Sequence, residues 1–374
     1  MTLSGKHPLE IPPAVPEGAT LSPLDATGKR SWAMQRWHVE NVVQFPNELE
    51  LYDDLPRLFE EHVLIGHAPT RPLLRDDDAV ITLGSCFADE LRNFLDAAGF
   101  SSESFWVPSG LNNTFALVDF VSWCVNGRVS ARAYRYERLD DGEIGEWTPE
   151  AERQEYERHF RQAGCFVFTL GLAEVWEDRE TQGVFWRGVP QAIFDASRHV
   201  FRLSTVAENE ENIAGLVRLI REVNDTAPIV FTLSPVPLRA TFREVSCVSA
   251  DAVSKSVLRV AIDSVMQPQL PGVYYWPSFE LVKGAGPVLD YRAYNDPDAR
   301  HVNRYLVYTI VNAFVRAFYG EDAAARFAEK IKTAGRQERP PHRTRALIRE
   351  TQRMASRIRR RALRHARRRR QMQG

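Results

Sequence analysis

Four short apolar runs, each cut off by glycine, serine or proline, constrain this chain more than any other feature. They are Val80, Ile81 and Leu83 within AVITLGSCFA, then CFVFTLGL at 165–172, PIVFTLSPVPL at 228–238 and GVYYWPSFELV at 272–282. Runs of this length, bounded by turn residues, read as buried strands. Between them apolar residues recur at helical spacing. Phe87, Leu91, Phe94 and Leu95 follow the first run, and FALVDFVSWCV ends at Asn126–Gly127. Ile213, Leu216, Val217 and Ile220 stripe a helix over 208–223, and further helices are expected over 249–266 and 305–319. Glu152–Ala163 reads as a charged helix, and 129–150 as a turn-rich excursion with a hairpin. Strands alternating with helices predict an α/β fold, a parallel sheet covered on both faces.

Both flanks differ from this body. Met1–Pro23 carries five prolines and no periodicity, and LELYDDLPRLFEEHVL at 49–64 has a short helical pattern. The expected organisation is an N-terminal arm and appendage over 1–68, a main α/β domain over 69–320 and an Arg-rich helical tail over 321–374. The net charge of −1 hides an asymmetry, because Arg336–Gly374 holds fifteen arginines and only two acidic residues. In that tail Leu347, Thr351, Met354, Ile358 and Ala362 form a narrow stripe on an arginine-rich helical pattern. Such a helix suits an anionic membrane surface or another polyanion, either an anionic glycan or a nucleic acid. No zinc-finger or RNA-binding motif favours the last.

The four cysteines (Cys86, Cys124, Cys165, Cys247) are widely spaced with no C-x-x-C pair, so no zinc ribbon, metal or cofactor is expected. The N-terminus lacks the apolar core of a secretory signal, and no run is long enough to span a bilayer. The expected location is the cytoplasm, in reach of an inner membrane through the tail.

Chemistry is expected where loops leave strand ends. The first such loop holds Ser85 and Cys86, a hydroxyl and a thiol beside helix N–H groups, both candidate nucleophiles. The second runs from Gly171 to Glu174, with Trp176 beyond, and the third holds Ser234. After the last strand, Asp298 and His301 stand at i,i+3, a spacing that lets a carboxylate orient an imidazole base. Glu174 and Trp176 suit either a sugar cleft or the packing of their loop.

Read together, several blocks in order resemble the GSCFA family, which is grouped with the SGNH (GDSL-like) hydrolases. They are Gly84-Ser85-Cys86-Phe87-Ala88, Asn113-Thr114-Phe115-Ala116, TLGLAEVW at 169–176, TLSPVPL at 232–238, Ser254-Lys255-Ser256, and Asp290-Tyr291-Arg292 running on to Asp298-Ala299-Arg300-His301. The resemblance spans about 69–319 and implies a flavodoxin-like three-layer α/β/α fold. It places Cys86 at the nucleophile position and Asp298 with His301 in the late block. Gly110, Asn112 and Asn113 fall near the second block, and Gly171 with Glu174 in the third. The asparagine expected two residues after Gly171 is absent, so Asn112 or Asn113 would have to supply an amide to the oxyanion. The implied function is hydrolysis or transfer of an O-acyl group on a carbohydrate, glycoconjugate or acylated small molecule. A binding module on the same fold is the alternative.

Overall fold

The structure is a computed structural model and describes residues 19–21, 32–34, 45–46, 48–103, 105, 110–128, 133–138, 144–147, 150–295 and 298–334. The expected tail helix and its partners lie outside these residues. The chain divides into two compact units, Met1–Asn47 and Glu48–Gly374. In the first, Ala19–Leu21 pairs antiparallel with Trp32–Met34.

The second unit is built on a five-stranded parallel sheet. Its strands are β1 (Val80–Gly84), β2 (Ser102–Glu103), β3 (Cys165–Leu170), β7 (Ile229–Leu233) and β8 (Val273–Trp276). Their spatial order is β8-β7-β3-β1-β2. Numbered by position among these five, that is the flavodoxin-like order 2-1-3-4-5. Every neighbouring pair is parallel. The central strands β1, β3 and β7 are buried on both sides, which explains their largely apolar runs.

Helices cover both faces. α1 (Cys86–Ala98), α6 (Arg304–Tyr319) and α7 (Glu321–Thr333) pack on one side, with Val80, Val167, Val230 and Trp276 of the sheet. Short helical turns at Leu49–Asp53, Leu55–Leu58 and Phe59–Val63 join the same core. α2 (Thr114–Asn126), α3 (Glu150–Gln162), α4 (Val206–Val223) and α5 (Cys247–Met266) pack on the other, with Ile81, Phe168, Phe231 and Tyr275. The result is the expected three-layer α/β/α arrangement.

Sequence signals set the helix ends. Ser85, Asn113, Thr205, Ser246 and Asn303 each accept a helix N–H as N-caps, and Thr205 forms a full capping box with Glu208. Gly99 and Gly127 close α1 and α2 in the left-handed region. Asn224 ends α4 and donates to the Ala163 carbonyl at 2.8 Å, which ties α4 to the entry of β3.

Three features depart from the expected element pattern. Pro277 stops β8 at Trp276, so the second half of GVYYWPSFELV is helical, over Ser278–Glu280 and Leu281–Ala285. The sheet edge is only the two-residue β2. A second, smaller sheet is built largely after β3: β4 (Glu174–Asp178), β5 (Val184–Phe185) and β6 (His199–Leu203), joined by Ala133–Tyr134. The expected hairpin is present as Tyr136–Arg138 against Ile144–Glu146.

Candidate active site

The strand order reverses between β1 and β3, the switch point at which open α/β sheets place their ligand crevice. Gly84 ends β1 with φ +124°, and a Cβ there would stand 2.1 Å from the Thr169 oxygen. Only glycine lets the two backbones approach so closely. The Ser85 N–H then donates to Thr169 O at 3.0 Å, which fixes the turn against β3.

Ser85 and Cys86 part company at this turn. Ser85 is buried, and its Oγ accepts the Phe87 N–H at 3.4 Å as the N-cap of α1. Cys86 is the first residue of α1 and is exposed. The protein around the thiol still withholds enough water to raise it above its ordinary value. Arg300 is the strongest charge pulling it back down, and Lys255 adds to that pull.

The second and third loops meet over the turn. The Gly171 and Leu172 N–H groups both donate to Asn112 O at 3.1 Å. A Cβ on Gly171 would lie 3.2 Å from the Ser85 Cβ and 3.4 Å from Asn112 Oδ1, while one on Gly110 would lie 3.3 Å from Asn112 Nδ2. Gly110, Asn112, Gly171 and Ser85 are therefore neighbours. Among the described residues the Asn112 amide has no hydrogen-bond partner. Asn113, by contrast, is a framework residue: Oδ1 caps α2 at Ala116 N and Nδ2 donates to Trp186 O at 2.9 Å.

The residue two after Gly171 is Ala173, whose N–H donates to Ser254 Oγ at 2.8 Å and whose oxygen accepts from Ser204. Glu174 is buried at the start of β4. Arg243 donates to its Oε1 at 3.5 Å, and Oε2 has no partner among the described residues. Trp176 packs edge-on against Phe194, Phe201 and Phe242.

Lys255, which in the Ser-Lys-Ser motif reads as either a solvent-facing or a substrate-charge residue, is not solvent-facing. It is 2% exposed, and Nζ donates to Gly171 O at 2.5 Å. Burial lowers it to about 8, partly offset by Asp251. One signal could have revealed this. Ala250, Ser254, Leu258, Ala261 and Ile262 line the core face of α5, and Asp251 and Lys255 fall on that same face. Charged residues at core positions of a helix need partners.

The loop after β8 brings the Asp298–His301 pair. His301 Nδ1 is hydrogen-bonded to Asp298 Oδ2, and Asp298 Oδ1 accepts the Arg300 N–H at 2.9 Å. The Arg300 N–H, then His301, hold the Asp298 carboxyl below its usual range. The loop is pinned by the Tyr294–Val302 bridge and by Asn295 N–H on His301 O at 2.9 Å. Arg300 donates from Nε and Nη2 to Pro237 O at 3.3 and 3.1 Å, docking the loop onto the segment that leaves β7. Among the described residues His301 Nε2 makes no hydrogen bond. Here also no three His, Cys, Asp or Glu side chains converge as a metal ion would require.

The arrangement thus holds an accessible thiol at a helix N-terminus, an unpartnered amide from Asn112, and a carboxylate-bound imidazole on a loop whose arginine reaches the thiol electrostatically. No curated protein matches the chain. The GSCFA family model matches residues 79–314, from the start of β1 to within α6. The span takes in all five strands of the parallel sheet and all the loops of the crevice, and the chain belongs to the GSCFA family.

Proposed function

We propose that this protein is an acyl-ester hydrolase or O-acyltransferase of SGNH type, acting through an acyl-enzyme on a carbohydrate, glycoconjugate or other acylated small molecule. Cys86 is the nucleophile, His301 the base and Asp298 the residue that orients it. The observation that carries this reading is the docking of Arg300. It ties the Asp298–His301 loop to the β7 exit, and the Arg300 charge favours the Cys86 thiolate, which supports this reading.

The raised thiol is protonated at neutral pH, so it needs a base. His301 Nε2 takes the Sγ proton as sulfur attacks the ester carbonyl carbon, and the C=O electron pair moves to oxygen. Collapse breaks the C–O bond, and the leaving alkoxide takes the proton from the imidazolium. A thioester to Cys86 remains. Water or a sugar hydroxyl then gives its proton to His301 and attacks the thioester, and the departing thiolate recovers that proton. The Cys86 N–H and the Asn112 amide are the donors this site offers the oxyanion. Asp298, bound to Nδ1, fixes the tautomer that leaves Nε2 unprotonated.

Ser85 is the poorer nucleophile because its hydroxyl is buried in the cap of α1. A second reading, a non-catalytic glycan-binding module, is favoured by one observation. The Gly171 N–H, a natural oxyanion donor, is already given to Asn112 O.

An aryl acetate assay with hydroxylamine trapping separates the two. Wild type should form a thioester that maps to Cys86. Cys86→Ala and His301→Ala should abolish it, and Ser85→Ala should retain it. If no variant differs from wild type, the enzymatic reading fails.

A further inference from the structure

The crevice carries more positive charge than the acyl chemistry uses. Three cations gather around one carboxylate, Asp251. Lys283 Nζ stands 3.8 Å from Asp251 Oδ2. Asp251 Oδ1 accepts the Leu238 N–H at 2.9 Å, and Arg300 is docked on the preceding residue, Pro237. Lys255 lies one turn further along α5 from Asp251, with Nζ on Gly171 O. Of the nearby acids, Asp298 is matched by His301 and the Arg300 N–H. Asp89 stands 4.0 Å from Arg92, which pairs more closely with Asp96 at 3.2 Å, and the Asp89 charge opposes the cations at Cys86. An ammonium 2% exposed, with one hydrogen bond to protein among the described residues, is an expensive element to keep in a crevice unless something negative meets it.

Space lies beside one of these cations, Lys283. A cavity of about 420 Å3 opens between Val282, Lys283 and Pro287 on one side and Arg292, Tyr294 and Asn295 on the other. Lys283 and Tyr294 stand on its wall, with the Lys283 ammonium 5.5 Å from the Tyr294 ring centre. Tyr294 OH donates to Pro235 O at 3.2 Å, so this wall continues into the β7 exit. Asn295, on the same wall, gives its N–H to His301 O.

We propose that the substrate is an anion. A carboxylate or phosphate on the acyl acceptor sits against Lys283, in the field of the buried Lys255 and of Arg300, while its ester carbon faces Cys86. The proposal names the substrate class for the reaction proposed above and rests on that reading for its catalytic meaning. The positive field itself does not depend on Cys86 being the nucleophile.

Cys86 can report that field whether or not it catalyses. The full-length protein is treated with iodoacetamide, which is neutral, and with iodoacetate, which is anionic. Cys86 alkylation is followed by peptide mass spectrometry, with glutathione as the free-thiol reference. The iodoacetate-to-iodoacetamide rate ratio should exceed that of glutathione by at least about fivefold, what one unit charge at ~4 Å gives in a watery medium. It should fall with salt. Lys283→Met, at the cavity wall, should reduce the ratio, and Lys255→Met should reduce it further. Glucuronate and glucose 6-phosphate should slow Cys86 alkylation where glucose does not, and the stronger of the two identifies carboxylate or phosphate as the anion. A wild-type ratio equal to that of glutathione overturns the proposal, as does a ratio that Lys283→Met leaves unchanged in a folded protein. If the ratio is high but hydroxylamine trapping finds no thioester, the anion site stands and the catalytic reading falls.

Discussion

The Lys255 ammonium donates to the Gly171 carbonyl oxygen at 2.5 Å, joining the middle of α5 to the loop that leaves β3. Ser254, beside it on α5, accepts the Ala173 N–H, so two adjacent residues of one helix clamp both ends of a three-residue loop. That loop packs on Ser85. The helix on one face of the sheet therefore sets the position of the turn that starts the helix on the other face.

The clamp has a pH signature. Lys255 is lowered to about 8 from its ordinary 10.5 because burial penalises the charge. Below about 8 folded and unfolded chains both hold the proton, and the fold bears the cost of the buried charge. Between about 8 and 10.5 only the unfolded chain holds it, so this group's contribution grows more favourable as pH rises. The unfolding free energy of wild type minus that of Lys255→Met should climb through this window by on the order of 3 kcal/mol, read from urea titrations at each pH. A flat difference would show that the ammonium stays charged in the fold.

The turn itself should tolerate no side chain at Gly84. With φ +124° and the Thr169 oxygen 2.1 Å from a Cβ, Gly84→Ala must separate β1 from β3 or unwind the turn. We expect a loss of more than about 3 kcal/mol in urea unfolding. The thioester should vanish in any fraction that stays folded.

Ser85 and Cys86 should separate stability from chemistry. Ser85→Ala removes the N-cap of α1 and should cost about 1 kcal/mol, seen as a lower urea midpoint, with acyl-enzyme formation kept. Cys86→Ala sits at an exposed first helical position and should leave the midpoint within about 0.5 kcal/mol while ending acyl transfer. The opposite pattern would move the nucleophile to the hydroxyl.

Away from the site, Asp119 on α2 faces Arg135 at 3.6 Å and accepts from Trp186 Nε1 at 3.0 Å, with both charged side chains buried. Asp119→Ala removes the carboxylate that faces buried Arg135 and accepts from Trp186 Nε1, and should destabilise the chain by about 3–5 kcal/mol. Replacing the pair together, Asp119→Leu with Arg135→Met, should recover most of that loss. Thermal melts of the single and double variants provide the check.

Much of this architecture is legible in the sequence, for physical reasons. Strands buried on both faces must be apolar throughout, so runs such as Cys165–Leu170 stand out, and capping residues such as Ser85, Asn113 and Asn303 mark where helices begin. Ser102–Glu103 is invisible for the converse reason: an edge strand of two half-buried residues needs no pattern. Glu174–Asp178 has no period-2 alternation and reads equally well as a loop until His199–Leu203 pairs with it. At the site, the motif positions of Cys86, Asp298 and His301 can be read directly. The commitment of Asn113 to Trp186 cannot, because the partner lies far along the chain. Lys255 misleads because a lysine flanked by serines looks solvated until the helix face is drawn.

The strand order also governs when the site can exist during synthesis. β1 leaves the ribosome first among the five strands of the parallel sheet, yet its inner neighbour is β3, made only after α2, the hairpin and α3. Until then the edge of β1 is unpaired and the thiol at Cys86 has no crevice around it. The loop bearing His301 follows the last strand of that sheet, so the proposed base is also the last to arrive. Pairings of such long sequence separation close slowly. A nascent chain therefore carries the proposed nucleophile long before the proposed base is in place, and the proposed acyl transfer would be confined to the finished fold.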